Sequence, residues 1–179
     1  MVPACISPLK GPVQDPGPEQ RVCMCRLAAE GVDGLSVSAI EIERGGTSYT
    51  VDTLMAIKSS HPDAHLTFIT GADTARTLPA WREPERLLGL ADLAVAARDG
   101  SWRQGVSDAV GPLLSSGRRG ANGSSPALRF LQMPPVDVSS SMVRERVARG
   151  EPVEDLVGPA VAGYIAAHRL YRAPGGDAG

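Results

Sequence analysis

The sequence predicts an α/β fold, a doubly wound, Rossmann-like parallel sheet followed by C-terminal helices. Short apolar segments of strand length occur at residues 66–70, 93–97 and 128–133, and segments typical of helices lie between and after them. Strands that alternate with helices form parallel sheets, since each helix returns the chain across one face of the sheet. A length of 179 residues suits one core. We therefore expect a single domain over residues 1–172 and a disordered tail at 173–179.

Two helices and one strand are predicted before the first of these apolar segments. The first helix begins at Pro18, with proline in its first turn, and ends near Gly31. Residues 35–43 alternate apolar and polar side chains, which predicts a half-buried strand. A second helix follows a run of Ser and Thr cap candidates and ends before Pro62.

The remaining elements complete the predicted sheet and its covering helices. The segments 66–70 and 93–97 are continuously apolar, which indicates strands that are covered on both faces. A short helix begins at Pro84, and the segments SSSMVRERVARG and GPAVAGYIAAHRLY predict the closing helices. The stretch 99–126 is rich in Gly, Ser and Arg, and we interpret it as a long, mobile excursion on the surface.

Charge and cysteine content exclude several classes of partner. The net charge is −2 and the pI is about 5.9, which argues against a general nucleic-acid or anionic-membrane surface. No apolar run reaches membrane-spanning length. The odd number of cysteines and the missing secretory signal indicate a reducing cytosol. We expect a soluble, cytoplasmic protein without a nucleic-acid or membrane partner, and a homo-oligomer stays open.

Polar residues follow each predicted strand of the apolar type. Gly71 and Asp73 come after the first strand, Arg98 follows the second, and Ser139–Ser141 with Arg144 follow the third. The carboxyl ends of parallel strands lie at one edge of the sheet, where ligands bind. We expect these loops to face one rim. Gly71 allows a ligand to come close to the backbone, whereas Asp73 suits a plain helix N-cap equally well.

The helix that begins at Ser139–Ser141 has the features of an anion site. Free N–H groups and a partial positive charge at a helix start favour anions. Arg144 lies in the first turn, where acidic residues are usual, and this indicates a strong anion such as a polyphosphate nearby. A capped helix with solvated arginines is the alternative interpretation.

A third group of residues could hold a planar ligand. Gly45 and Gly46 permit a close approach, and Ser48, Tyr49 and Thr50 supply hydroxyls and amides at a helix start. Stacking of a ring on Trp81 would contribute about 0.5–1.5 kcal/mol beyond area burial, although a core tryptophan is an equal alternative. The histidines show no ligand spacing, and neither a P-loop nor a Gly-x-Gly-x-x-Gly motif is present.

Five ordered blocks carry a family resemblance that extends to Arg172. They are VPA…SPLK, ERGGTSYTVDTL, FITGADTARTLPAW, LAVAARDG and VSSSMVRERVARGEPVEDLVGPAVAGYIAAHRLY. The chain resembles the bacterial nicotinate-nucleotide adenylyltransferases of the nucleotidyltransferase superfamily. The resemblance implies an enzyme that joins ATP and nicotinate mononucleotide into deamido-NAD and pyrophosphate, with Mg²⁺. The alternatives are an enzyme that acts on nicotinamide mononucleotide or pantetheine phosphate, and a non-catalytic nucleotide-binding remnant.

The resemblance also implies roles for individual residues. The residues implied for the mononucleotide are Lys10, Ser48, Tyr49, Thr50, Trp81 and Arg82. The residues implied for ATP are Gly71, Asp73, Arg98, Ser140, Ser141 and Arg144. Within these sets, Trp81 is expected to stack on the pyridine ring, and Lys10 to lie over the phosphates.

One block of the family is missing from these 179 residues. Relatives begin with a strand and Gly-x-Phe-x-Pro-x-His-x-Gly-His, whose histidines bind the triphosphate, and the resemblance places Met1 near the end of their second strand. No catalytic residue is therefore assigned, and the first strand and helix are expected to be absent. Because each preorganised electrostatic contact contributes several kcal/mol, we expect the 179 residues alone to be poorly soluble or nearly inactive.

Overall fold

The computed structural model describes most of the chain and divides it into two compact units. The described residues are 1–8, 15–97, 102–115, 126–134 and 136–172. The terminal unit comprises Met1–Ser48 and Val136–Gly179, and the central unit comprises Tyr49–Pro135. The predicted tail lies outside the described residues, and the assignment of residues 1–172 to one domain stays a prediction.

Helices and strands alternate between residues 50 and 148, with further helices before and after. In order they are α1 (Pro18–Ala29), α2 (Ile40–Arg44), α3 (Thr50–Ser60), β1 (Thr67–Gly71), α4 (Ala72–Arg76), a 3₁₀ turn (Leu78–Ala80), α5 (Pro84–Leu90), β2 (Asp92–Ala97), α6 (Arg103–Leu114), β3 (Leu128–Gln132), α7 (Ser140–Ala148), α8 (Glu154–Val157) and α9 (Pro159–Ala167). Within the described ranges, no helix combines the length and apolarity that a membrane crossing requires.

The strands of the central unit form a parallel sheet in the order β1-β2-β3. Gly71 at the end of β1 pairs with Ala96, and Ala97 at the end of β2 pairs with Gln132. The α/β fold with a parallel sheet, predicted from the alternation of strands and helices, is confirmed.

Local sequence signals place several helix boundaries correctly. Pro18 begins α1 and Pro84 begins α5, both at the first-turn position where a missing N–H costs nothing. Helix α3 ends at Ser60, ahead of Pro62, as predicted. The side chain of Ser139 caps α7 by accepting a hydrogen bond from the backbone N–H of Met142 at 3.1 Å.

The prediction that residues 66–70 are covered on both faces is wrong. Leu93 and Val95 of the central strand β2 are fully buried, and Ala94 on its other face is 2% exposed. In β1, however, burial alternates, and Ile69 is 62% exposed. A run of apolar residues shows that a segment can be buried, but it does not show how many of its faces are covered. Among the described strands β1 is an edge strand, and only its Phe68 face packs against the core.

The half-buried strand predicted at residues 35–43 is also wrong. Residues 35–39 have no regular structure, and α2 begins at Ile40. A strand needs hydrogen-bonding partners along its length. Here the N–H of Ser38 donates to the carbonyl of Met1 at 2.9 Å, and one isolated parallel bridge joins Ile6 to Thr47. Alternation alone could not supply the missing partner strand.

The interpretation of residues 99–126 as a surface excursion is wrong for its described part. Helix α6 occupies Arg103–Leu114, and its side chains Val106 and Val110, one turn apart, are fully buried in the core of the central unit. Gly and Ser in this stretch obscured the apolar stripe at helical spacing. Residues 99–101 and 116–125 of this stretch lie outside the described residues.

Both units have aliphatic cores, as the scarcity of aromatic residues requires. The central core contains Val51, Leu54, Ala75, Leu78, Leu87, Leu88, Ala91, Leu93, Val95, Val106 and Val110. The terminal core contains Val143, Val153, Val161, Ala162 and Ile165. Helices α7 and α9 both contribute to the terminal core. The closing helices predicted from the sequence therefore pack through their apolar side chains.

The burial of α6 can be tested by truncating one of its core side chains. We expect Val106→Ala to lower the free energy of unfolding by about 2 kcal/mol, because two buried methyl groups are lost and a small cavity remains. Gln104→Ala, on the exposed face of the same helix, should change it by less than about 0.5 kcal/mol. Urea unfolding followed by circular dichroism measures both. Equal small effects would show that α6 is not part of the core.

Candidate functional site

The carboxyl ends of the three strands lie at one edge of the sheet. The parallel register pairs Gly71 with Ala96 and Ala97 with Gln132 at these ends, as expected for the rim at which ligands bind. Arg98, the residue after β2, lies outside the described residues, as does Lys10. The position of the Ser139–Ser141 loop at the same rim stays a prediction.

Gly71 and Asp73 occupy the turn from β1 into α4. Gly71 is itself the N-cap of α4, so the interpretation of Asp73 as the cap is wrong. The Asp73 side chain is 94% exposed and forms an ion pair of 2.6 Å with Arg76. A Cβ added at Gly71 would meet no atom within 4 Å, and its φ of −76° is open to any residue. Packing within the described chain therefore does not require glycine here, and the space beside it can admit a ligand.

Arg82 lies at the centre of a polar cluster in the central unit. The Arg82 cluster consists of Tyr49, Asp52, Trp81 and Arg82. The guanidinium carbon of Arg82 lies 4.7 Å from the centre of the Tyr49 ring, a cation–π contact. Nη1 of the same group donates to Oδ2 of Asp52 at 3.2 Å. The structure thus brings together two residues that the sequence proposed, and adds Asp52, which the sequence analysis missed.

Trp81 packs against the central core, and its role in stacking a ligand ring stays a prediction. Its indole packs edge-on against Phe68, with ring centres 5.9 Å apart, and contacts the central core. Its Nε1–H donates to Oγ1 of Thr77 at 3.0 Å. The side chain is only partly buried. Packing and one hydrogen bond therefore fix the ring, and part of it stays accessible to a ligand.

Ser48 and Thr50 flank Tyr49 at the start of α3. The Ser48 hydroxyl oxygen accepts a hydrogen bond from the N–H of Cys5 at 2.8 Å, and the N–H of Ser48 donates to the carbonyl of Ile6 at 2.8 Å. Ser48 is buried, so its hydroxyl holds the N-terminal segment in place. Thr50 is the first residue of α3, whose start has no side-chain cap. A substrate-binding role for either residue stays a prediction.

Ser140, Ser141 and Arg144 line one cavity of the terminal unit. This cavity has a volume of about 980 Å³, and its wall also includes Arg21, Tyr171 and apolar side chains of α1 and α9. Nη2 of Arg144 lies 3.1 Å from Oγ of Ser141. Among the described residues, Arg144 pairs with no carboxylate. The three residues proposed for phosphate binding are therefore together, with one guanidinium available to an anion.

Arg21 is a further cation of this cavity that the sequence analysis missed. Its guanidinium donates to the carbonyls of Ala4 and Cys5 and to Oδ1 of Asp15, the last at 3.1 Å. These contacts hold the N-terminal segment against α1. Burial raises the pKa of Tyr171 in the same cavity, while Arg144 and Arg21 lower it and Asp15 raises it. No local sequence signal distinguishes Arg21 from a surface arginine.

The described residues provide no metal site of their own. Within the described ranges, no group of three or more His, Cys, Asp and Glu side chains could hold a metal ion.

A family model and curated relatives match most of this chain. The cytidylyltransferase-like family model matches residues 17–146. A protein of Gemmatimonas aurantiaca named "Probable nicotinate-nucleotide adenylyltransferase" is 40% identical over 172 residues, which are 96% of this chain and 77% of that protein. A protein of Bordetella avium with the same name is 40% identical over 166 residues, 93% of this chain and 76% of the relative.

A solved structure is similar in its fold. The Plasmodium falciparum nicotinic acid mononucleotide adenylyltransferase, complexed with NaAD, superposes with a TM-score of 0.64. The match covers 95% of this chain and 80% of that chain at 18% sequence identity. At this identity, the similarity supports the arrangement of strands and helices alone.

Cys25 also lines the cavity of the terminal unit, and its burial there leads to a testable prediction. Burial raises the pKa of the Cys25 thiol, against smaller lowering effects of Arg21 and the Met1 ammonium group. A raised pKa keeps the thiol neutral, so its reactive thiolate forms at higher pH in the folded chain. In a Cys5→Ser, Cys23→Ser variant, the midpoint of the iodoacetamide rate against pH should lie higher in the folded chain than in urea. An equal or lower midpoint would contradict the described burial.

Proposed function

Because the chain belongs to the cytidylyltransferase-like family and to the bacterial nicotinate-nucleotide adenylyltransferases, we propose that it transfers the adenylyl group of ATP to nicotinate mononucleotide. The products are deamido-NAD and pyrophosphate, and the reaction is a step of NAD biosynthesis. The Arg82 cluster is the observation that carries the choice of acceptor.

The Arg82 cluster suits a planar, anionic pyridine ring. Trp81 offers a partly accessible indole that packing holds in one orientation. The side chain of the next residue, Arg82, is 49% exposed, and its guanidinium is held over the Tyr49 ring. A carboxylate on the pyridine ring can pair with a guanidinium, whereas a neutral carboxamide gains less from the same contact. This difference favours nicotinate over nicotinamide as the acceptor's base.

ATP is assigned to two groups of residues. We place its phosphates against Ser140, Ser141 and Arg144, where a helix start, two hydroxyls and a guanidinium that pairs with no described carboxylate favour a polyanion. We place its adenosine beside Gly71 and Asp73, where the backbone is open and a carboxylate is available to accept hydrogen bonds from ribose hydroxyls. Arg98 and Lys10 stay predictions as further phosphate contacts.

The proposed reaction requires positioning and charge neutralisation, and no covalent intermediate. A phosphate oxygen of nicotinate mononucleotide attacks the α-phosphorus of ATP in line with the bond to the β-phosphate. The new P–O bond forms as that bond breaks, and pyrophosphate leaves with its electron pair. Arg144 would neutralise charge that gathers on the phosphates, while Trp81 and Arg82 hold the attacking mononucleotide in place.

The proposal also covers magnesium and the cellular location. We propose that Mg²⁺ enters as its complex with ATP, because the described residues offer no set of ligands for it. All three cysteines are free, as is usual in the reducing cytoplasm. We therefore propose that the reaction takes place in the cytoplasm.

The identity of the product tests the proposed reaction. With ATP, Mg²⁺ and equal concentrations of the acid and amide mononucleotides, we expect deamido-NAD to exceed NAD by at least about tenfold, since one charged contact contributes about 1.5–3 kcal/mol. Chromatography with mass detection separates the two products, and pantetheine phosphate serves as the third acceptor. A preference for the amide, or for pantetheine phosphate, would contradict the proposal.

Truncation of the tryptophan tests the assigned pocket. We expect Trp81→Ala to weaken the binding of nicotinate mononucleotide by about fivefold or more, because a stacked base contributes about 1–3 kcal/mol. The Kd for ATP, measured by calorimetry on the same variant, should change by less than about twofold. Equal losses for both ligands would mean that Trp81 supports the fold generally and does not form the pyridine pocket.

A further inference from the structure

We propose that Asp52 is a positioning residue for the mononucleotide pocket, acting through Arg82. This inference rests on the proposed function, since it concerns the same pocket. Asp52 lies in the first turn of α3, and Arg82 lies 30 positions later, directly after Trp81. The contact between them joins the start of α3 to the loop that carries the tryptophan.

The geometry around Arg82 shows why a second contact is needed. The Tyr49 ring holds one face of the guanidinium at 4.7 Å, but a cation–π contact leaves the group free to turn in its own plane. The hydrogen bond from Nη1 to Oδ2 of Asp52 removes that freedom. The other nearby carboxylate is Glu83, whose Oε1 lies 3.8 Å from Nε. At that distance it adds charge but no well-formed hydrogen bond.

These two contacts fix the direction in which the remaining N–H donors of the Arg82 guanidinium point. With one face on Tyr49 and Nη1 on Asp52, the donors of Nη2 are in no described hydrogen bond, and half of the side chain is exposed. A fixed pair of donors can bind a ligand carboxylate with less loss of side-chain freedom than a mobile arginine. Asp52 therefore prepares Arg82 for the ligand without contacting it.

The negative charge of Asp52 makes this role separable from a simple electrostatic one. A carboxylate beside the pocket repels an anionic ligand, so removing only its charge would tighten the binding of nicotinate mononucleotide. Removing a positioning contact would weaken that binding. Asp52→Asn removes the charge and replaces the charge-assisted hydrogen bond by a weaker neutral one, so the sign of the change in binding shows which effect is larger.

The test measures binding by calorimetry for the unaltered chain, Asp52→Asn, Arg82→Ala and the double variant. We expect Asp52→Asn to raise the Kd for nicotinate mononucleotide by about tenfold, as coupled contacts typically do, and to leave the Kd for ATP unchanged. The double variant should bind no more weakly than Arg82→Ala alone, because Asp52 acts through Arg82. Tighter binding by Asp52→Asn, or additive losses in the double variant, would overturn the proposal.

A matched control separates positioning from general stability. Glu151 forms an exposed ion pair with Arg149 in the terminal unit, with 2.7 Å between Oε1 and Nε. Glu151→Gln removes a comparable surface pair and should leave both Kd values unchanged. A drop in the melting temperature of Asp52→Asn together with weaker ATP binding would assign Asp52 a structural role and overturn the proposal.

The experiment also distinguishes this inference from the function on which it rests. If the unaltered chain binds nicotinate mononucleotide and Asp52→Asn binds it equally well, only the role of Asp52 is wrong. If the unaltered chain does not bind this mononucleotide, both the role of Asp52 and the proposed acceptor are wrong.

Discussion

The parallel pairing of β2 with both of its neighbours is the constraint on which the central unit depends. Because β2 is buried and bonded on both edges, the ends of all three strands are fixed at one edge of the sheet. The chain that leaves β1 turns at once into α4 and reaches α5, where Leu87 and Leu88 are buried in the core. The segment between these anchors carries Trp81 and Arg82. Sheet pairing therefore sets the position of Trp81 and Arg82 before any ligand is considered.

The sequence predicted the parts of this structure that depend on local rules. Pro18 and Ser139 determine helix starts through backbone chemistry that acts within a few residues. The failures arise where a distant partner decides. Residues 35–43 alternate as a strand should, yet no described strand pairs with them. Ile69 is apolar but lies on an exposed face of β1, at the edge of the described sheet. In α6, glycine and serine concealed two buried valines whose partners are also distant in sequence.

The same difference between local signals and distant partners applies to the candidate site. Trp81, Tyr49 and Arg82 were identified from the sequence blocks that carry them, and the structure places the tyrosine and arginine in contact. Asp52 could not be identified, because its importance comes from a partner 30 residues away. Arg21 was missed for a similar reason, since its donors reach backbone carbonyls of the N-terminal segment, 16 and 17 positions away. A contact of this kind leaves no periodicity or spacing in the sequence.

The central claim is that the pyridine ring of the mononucleotide lies on Trp81, and the two tryptophans of the chain allow a direct measurement. Trp102 packs against Phe130 with ring centres 5.3 Å apart, and its indole N–H is buried. In a ¹⁵N-labelled chain the two indole N–H signals can be followed separately by NMR. Titration with nicotinate mononucleotide should shift the Trp81 signal and leave the Trp102 signal in place. A shift of the Trp102 signal alone, or of neither, would contradict the account.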